Sequence, residues 1–198
     1  MTDAASTIDP ATTALLVMDY QRGIVAMIED SGSLLERAAD AIARVRGRGG
    51  HIGYVRVAFT DDDLAALPPT SGMGARVASS PEAFRAGSPN TAVHDRVAPQ
   101  DGDIVVRKTR VGAFSTTNLD EQLRERGIDT LILAGISTSG VVLTTVREGF
   151  DRDYRLFVLA DATADRDPEV HALLLEKVFP RQAEVVTAAD LEGLMMVA

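Results

Sequence analysis

Short runs of consecutive apolar residues recur along this chain, and the stretches between them carry helical rather than strand periodicity. Leu15-Leu16-Val17-Met18, Ile104-Val105-Val106 and Leu131-Ile132-Leu133 are the clearest of these runs. A strand with one wet face alternates apolar and polar residues, whereas a strand covered on both faces is apolar throughout. Such runs separated by amphipathic helices predict an α/β fold, a parallel sheet with helices on both faces. Strands are expected over 13–18, 51–59, 103–107, 130–134, 155–160 and 183–186.

The helical signals fall between them. Ser33-Leu34-Leu35-Glu36 reads as a capping box, opening a helix with Leu34, Leu35, Ala38, Ile42 and Val45 on one face and Gly47, Gly49 and Gly50 at its end. Further helices are expected from Thr117-Asn118-Leu119-Asp120 to Gly127, beyond the 135–140 loop with Val142, Val146 and Phe150 on one face, after Asp167-Pro168 with Val170, Leu174 and Val178, and from Thr187-Ala188-Ala189-Asp190 onward. Between 60 and 100 the periodicity weakens while Pro, Gly and Ser accumulate. That excursion is expected to hold at most one short helix, near 81–85. No internal repeat or low-complexity tract appears.

With 198 residues, 45% of them hydrophobic, the chain suffices for one sizeable core, so a single domain over 1–198 with a flexible arm at 1–12 is expected. A net charge of -9 argues against a nucleic-acid partner, which needs clustered Lys and Arg. The apolar runs are too short to span a membrane, and the first ten residues lack the basic and apolar regions of a secretory signal. A cytoplasmic protein without a membrane partner is the expectation. The chain has no cysteine, which removes disulfides, thiolate ligands and thiolate nucleophiles. His51, His94 and His171 show no paired ligand spacing, so neither metal nor cofactor is expected.

Carboxyl ends of parallel strands share one edge of the sheet, where α/β proteins bind ligands. Asp19 follows the first run, Lys108 the third, and the small-residue loop 135–140 the fourth. Burial against strand-end apolar residues raises a carboxyl pKa toward the range useful for proton transfer, while a nearby ammonium opposes that rise. Each assignment has a plainer competitor: Asp19 as a turn cap, Lys108 as a surface lysine. Ser137, Thr138 and Ser139 offer hydroxyls, yet a hydroxyl needs a base and no histidine is placed to serve, so they are read as shaping the loop. Asp161 and Asp165 are read as satisfying turn amides, and His171 as structural. Asp61-Asp62-Asp63 is read as a solvated acidic loop. The stretch 64–77 is expected to cover the pocket, with Phe59 and Leu67 on its apolar wall.

Taken in order, Leu16-Val17-Met18-Asp19-Tyr20-Gln21, Lys108-Thr109-Arg110-Val111-Gly112-Ala113-Phe114, Leu133-Ala134-Gly135-Ile136-Ser137-Thr138-Ser139-Gly140-Val141-Val142 and Val158-Leu159-Ala160-Asp161-Ala162 resemble the isochorismatase-like hydrolase family, also called the cysteine hydrolase superfamily. The resemblance covers nearly the whole chain. It implies a three-layer α/β/α sandwich around a six-stranded parallel, Rossmann-like sheet, assembled as a homodimer or homotetramer and acting on a small-molecule substrate.

In the family's amidases an Asp, a Lys and a Cys form a catalytic triad. Asp19 and Lys108 match the first two, and the alignment puts Val141 at the nucleophile position, where isochorismatases proper carry glycine. The resemblance also implies a cis peptide at Ile136-Ser137, and it makes Gln21, Phe59, Arg110, Phe114, Ile136, Ser137, Thr138 and Gly140 candidates for substrate contact. Arg110 and Phe114 serve equally well as subunit contacts. Nicotinamidase-like relatives hold a metal with an Asp and histidines near 61–63; those histidines are absent here.

A hydrolase working by Asp and Lys acid–base chemistry, without a covalent intermediate, is the leading expectation. A catalytically silent ligand-binding or assembly protein and a Ser/Thr-dependent amidase are the alternatives. A nucleotide-binding doubly wound domain ranks last, because no Gly-x-Gly-x-x-Gly turn follows the first strand.

Overall fold

Alternate side chains of Thr13–Met18 (β1) enter opposite cores: Leu15 and Val17 join one apolar cluster, Ala14, Leu16 and Met18 the other. A strand buried on both sides in this way must lie inside a sheet covered on both faces. The computed structural model, which describes residues 7–195, shows that sheet. Its strands are β1, His51–Val57 (β2), Ile104–Lys108 (β3), Thr130–Ile136 (β4), Arg155–Ala164 (β5) and Glu184–Val186 (β6), in the order β3-β2-β1-β4-β5-β6. Every neighbouring pair is parallel. The strand order reverses direction between β1 and β4, which opens a crevice at their carboxyl ends.

The helices divide between the two faces. Among the described residues they are Arg22–Val25 (α1), Ser31–Gly47 (α2), Asp61–Ala65 (α3), Gly72–Ser79 (α4), Pro81–Phe84 (α5), Leu119–Glu125 (α6), Leu143–Phe150 (α7), Pro168–Leu173 (α8) and Leu191–Leu194 (α9). From α2, Leu34, Leu35, Ala38, Ile42 and Val45 pack with Leu15 and Val17, together with Leu191 of α9. On the other face Leu119 and Leu123 of α6 and Val146 of α7 pack with Leu16 and Met18. This is the expected α/β/α sandwich. None of these helices is long and apolar enough to cross a membrane.

Where the structure departs from expectation, local hydrogen bonding decides. The α2 cap is Asp30, whose carboxylate accepts from the Ser33 amide, so the helix begins before the proposed capping box. Helix α6 is closed by Gly127 in the left-handed region, as expected. Strand β4 runs on through Gly135 and Ile136, and β5 continues past Asp161 to Ala164 after a register shift between Leu133 and Gly135. Phe150 and Val170, assigned to buried faces, are exposed.

The 60–100 excursion holds three short α-helices and two 3-10 turns, Pro89–Thr91 and Asp95–Val97, where at most one short helix was expected. Thr60 and Asp63 cap α3 reciprocally, and the Ser71 hydroxyl accepts from the Gly74 amide to open α4. The acidic run is therefore the first turn of a helix, with Asp61 paired to Arg85 and Asp63 to Arg107, an arrangement the helix dipole favours. Of the arm expected over 1–12, residues 1–6 lie outside the described residues. Ile8 is buried and its amide donates to the Leu194 carbonyl at 2.8 Å, so the chain is packed rather than free from there onward.

Candidate active site

The carboxyl ends of β1, β3 and β4 meet at the crevice. Asp19 follows β1 with φ at +59°, in the left-handed region, which turns it out of the strand while its amide still donates to the Val55 carbonyl. Two strand positions away, Lys108 is the last residue of β3. Parallel neighbours lie about 4.8 Å apart, so only a long side chain crosses the end of β2 to reach β1. It does so: Lys108 Nζ donates to Asp19 Oδ2 at 2.8 Å and also to the Val111 carbonyl. Lys108 is 1% exposed and Asp19 6%, so the ion pair is shielded from bulk water.

The second carboxylate oxygen, Asp19 Oδ1, is buried without a hydrogen-bond partner in the protein. Burial pushes the Asp19 carboxyl above its ordinary range, and the Lys108 ammonium opposes that shift without cancelling it.

A cavity of about 590 Å³ opens over this pair. Asp19, Lys108, Arg110, Ile136, Ser137, Gly140 and Val141 from the expected set all line it. The Ile136-Ser137 peptide bond is cis. Beyond it Thr138–Val142 forms a π-helical turn running into α7, a geometry frequent at functional sites. Ser139 is pinned by Asp165, whose carboxylate accepts from both its amide and its hydroxyl at 2.7 Å. Burial would raise the Asp165 pKa, but these bonds outweigh it and hold the carboxyl below the ordinary range.

Four candidates for substrate contact sit elsewhere, each engaged inside the protein. Gln21 is buried, its amide donating to the Val57 and Thr91 carbonyls and accepting from the Val57 amide. Phe59 packs edge-on against Phe84 within a third apolar cluster, and Phe114 stacks on Tyr154 beneath the Arg152 guanidinium. Thr138 is fully buried with its hydroxyl 2.7 Å from His171 Nδ1. That contact corrects the expectation that no histidine stands near the loop hydroxyls. Burial lowers the His171 pKa, with Asp165 opposing. Gln21 therefore supports the site from behind: Gln21→Ala leaves the Val57 amide unpaired and is expected to lower unfolding free energy in urea by about 1–3 kcal/mol.

The cavity wall also includes residues that no motif marked. Met73, Arg76, Ser79, Ser80 and Phe84 come from α4, α5 and their junction, Ile24, Met27 and Ile28 from α1 and its end, and Asp165 and Arg166 from the turn after β5. Leu67 instead lines a separate apolar hollow of about 460 Å³, while Met73 and Arg76 are the residues of the 64–77 stretch that reach the cavity wall, which continues to Ser79, Ser80 and Phe84. Among the described residues no group of three or more His, Asp or Glu side chains is arranged to hold a metal ion.

A six-stranded parallel sheet in this order, covered by helices on both faces and with a buried Asp and Lys beside a cis-peptide loop at its switch point, is the architecture of the isochorismatase-like α/β proteins. Residues 13–190 match the Isochorismatase domain, and the chain belongs to the isochorismatase family of hydrolases. It is 39% identical over 179 residues to the isochorismatase family protein YwoC of Bacillus subtilis, covering 88% of this chain and 89% of the relative. A ureidoacrylate amidohydrolase, RutB of Methylobacterium radiotolerans, is 34% identical over 182 residues, covering 82% and 70%. Among solved structures, an isochorismatase family protein from Burkholderia thailandensis superposes with a TM-score of 0.82 at 30% identity, covering 96% of this chain and 98% of that one.

Proposed function

We propose that this protein hydrolyses a small organic substrate by proton transfer at Asp19, with Lys108 as its electrostatic partner and no covalent enzyme intermediate. The observation that carries this reading is Asp19 Oδ1, a buried and unbonded carboxyl oxygen at the cavity wall, while Oδ2 is held by Lys108. A carboxyl whose acid form is favoured by burial can give a proton to a substrate atom entering the cavity, and the ammonium stabilises the carboxylate left behind. Water then completes the hydrolysis and returns the proton. Val141, in the wall where the resemblance places the family's nucleophile, has only an isopropyl group and cannot attack. In this reading the backbone amides of the Thr138–Val142 turn meet negative charge as it develops on the substrate.

A Ser/Thr-dependent amidase has one observation in its favour, the Ser139 hydroxyl on Asp165. A carboxylate held below its ordinary pKa is a weak base for that hydroxyl, which argues against it. The fully buried Thr138 is outside the cavity wall, although His171 is beside it.

The wild-type protein, offered a panel of vinyl ethers, ureido compounds, primary amides and esters, is expected to turn over at least one. Its mass should stay unmodified during turnover. With Asp19 acting as the acid, kcat/KM falls as pH rises through the raised Asp19 pKa. Binding without turnover across the panel supports the silent ligand-binding alternative instead, and an acyl adduct on the 137–139 loop supports the amidase.

A further inference from the structure

We infer that His171 is a positioning residue for the catalytic cavity: its Nδ1 accepts a hydrogen bond from the Thr138 hydroxyl and thereby holds the Thr138–Val142 turn, whose amides meet the reacting group. This deepens the hydrolytic reading of the Asp19 cavity and rests on it. The turn is π-helical, a rare geometry that needs partners or packing around it to keep one position. Its carboxyl end is fixed by burial, since Val141 and Val142 belong to the apolar cluster that α7 covers. Its amino end is fixed by side chains. Asp165 accepts from the Ser139 amide and hydroxyl at 2.7 Å, and His171 Nδ1 lies 2.7 Å from Thr138 Oγ1. Both grips come from the segment that follows β5, whose Asp165 and Arg166 also line the cavity.

The burial of the pair sets which way the bond runs. Thr138 is fully buried, and among the described residues its hydroxyl makes no other hydrogen bond. With the ring proton on Nδ1, the hydroxyl hydrogen would be left in the core without an acceptor, at the full cost of an unsatisfied buried group. The ring proton therefore sits on Nε2, and the Thr138 bond fixes that tautomer. Burial lowers the His171 pKa and keeps the ring neutral at neutral pH, with the Asp165 carboxylate opposing the shift. His171 is itself anchored. Asp167 caps α8 by accepting from the Glu169 and Val170 amides, the His171 amide donates to the Asp167 carbonyl, and Leu174 just beyond α8 is buried in the core. Space within the turn is tight, since a methyl group at Gly140 would come within 2.7 Å of Ser137 Oγ, so a displaced Thr138 displaces its neighbours. A shift of about 1 Å in groups that meet a substrate can cost about 10²-fold in rate.

Nitrogen NMR of the wild-type protein at neutral pH, with His171→Asn identifying the resonances, reads the tautomer. A proton on Nε2 and a bare Nδ1 are expected; a proton on Nδ1 overturns the inference. Amide hydrogen exchange reads the turn without any substrate. In His171→Phe, which keeps a ring but no acceptor, and in Thr138→Val, exchange at residues 139–142 is expected to rise about tenfold, the effect of one lost hydrogen bond, while the amides of β1 and β4 exchange as before. His171→Asn, whose amide oxygen stands near the Nδ1 position, should restore most of the protection, with folding of each variant checked by circular dichroism. Unchanged exchange at the turn overturns the inference, as does an equal rise throughout the sheet, which marks a merely structural histidine. For whichever vinyl ether, ureido compound, amide or ester is turned over, His171→Phe should lower kcat about tenfold and leave KM within about twofold, the double variant with Thr138→Val being no slower than either single one. An unaltered kcat in His171→Phe overturns the inference and leaves the hydrolytic reading of Asp19 standing. A turn loosened by His171→Phe in a protein that turns over none of the panel defeats that reading and leaves the His171 clamp standing.

Discussion

Asp19→Asn is expected to reduce turnover by about 10³-fold or more while leaving the melting temperature at neutral pH undiminished. General acid–base catalysis contributes roughly 10²–10⁴-fold, and 10³ corresponds to about 4 kcal/mol of transition-state stabilisation. Asparagine has the shape of the protonated acid but no proton to give. Removing one member of a buried ion pair is usually destabilising, but the sign of the Asp19 shift argues otherwise here. A raised pKa means that the folded protein binds this proton more tightly than the unfolded chain does. The resulting stability is complete below the ordinary carboxyl pKa and is lost as pH rises through the folded value. A neutral isostere lacks that loss, so the stability of Asp19→Asn should fall less with rising pH than that of the wild type across this window. Full activity in the variant removes Asp19 from the chemistry. Thermal melts at several pH values, run beside the assays, separate a lost proton donor from a lost fold.

Lys108→Met should lower kcat by about 10²–10³-fold and move the alkaline fall in activity to higher pH. The ammonium is the group that holds the Asp19 pKa down against burial, so its loss lets the carboxyl rise further and removes the charge that stabilises the carboxylate after proton transfer. Methionine fills a similar volume without a buried charge. The stability cost should be about 2–5 kcal/mol, because the hydrogen bonds to Asp19 Oδ2 and to the Val111 carbonyl are both lost and the buried carboxyl is left without a partner. A pH profile that does not move in Lys108→Met places the titrating group elsewhere.

The strands were readable because their burial is extreme. A run such as Leu131-Ile132-Leu133 can lie only between two apolar layers, and its fate follows from solvent exclusion alone. Asp19 and Lys108 were readable for a related reason, since each stands where such a run ends. Their neighbours were not. Gln21 and Phe114 lie within a few residues of the pair, yet both turn into the interior, Gln21 to three backbone groups and Phe114 to the Tyr154 ring. Which way a loop side chain points depends on a few backbone dihedrals, and residue type does not encode them.

Arg76 and Arg166 illustrate the other limit. Arg76 lies on the short helix α4 and Arg166 in the turn after β5, and each becomes part of a cavity wall only because distant segments pack around the same crevice. The order and spacing of apolar runs determined by themselves the sheet, its covered faces and the edge where polar groups collect, because burying those runs dominates the energetics of folding. Tertiary structure alone decided that the Lys108 ammonium crosses β2 to Asp19, that one carboxylate oxygen is left unbonded, and that residues of α1, α4, α5 and the turn after β5 line the same cavity. Those relations join atoms far apart in the chain, and only packing in three dimensions sets the distances between them.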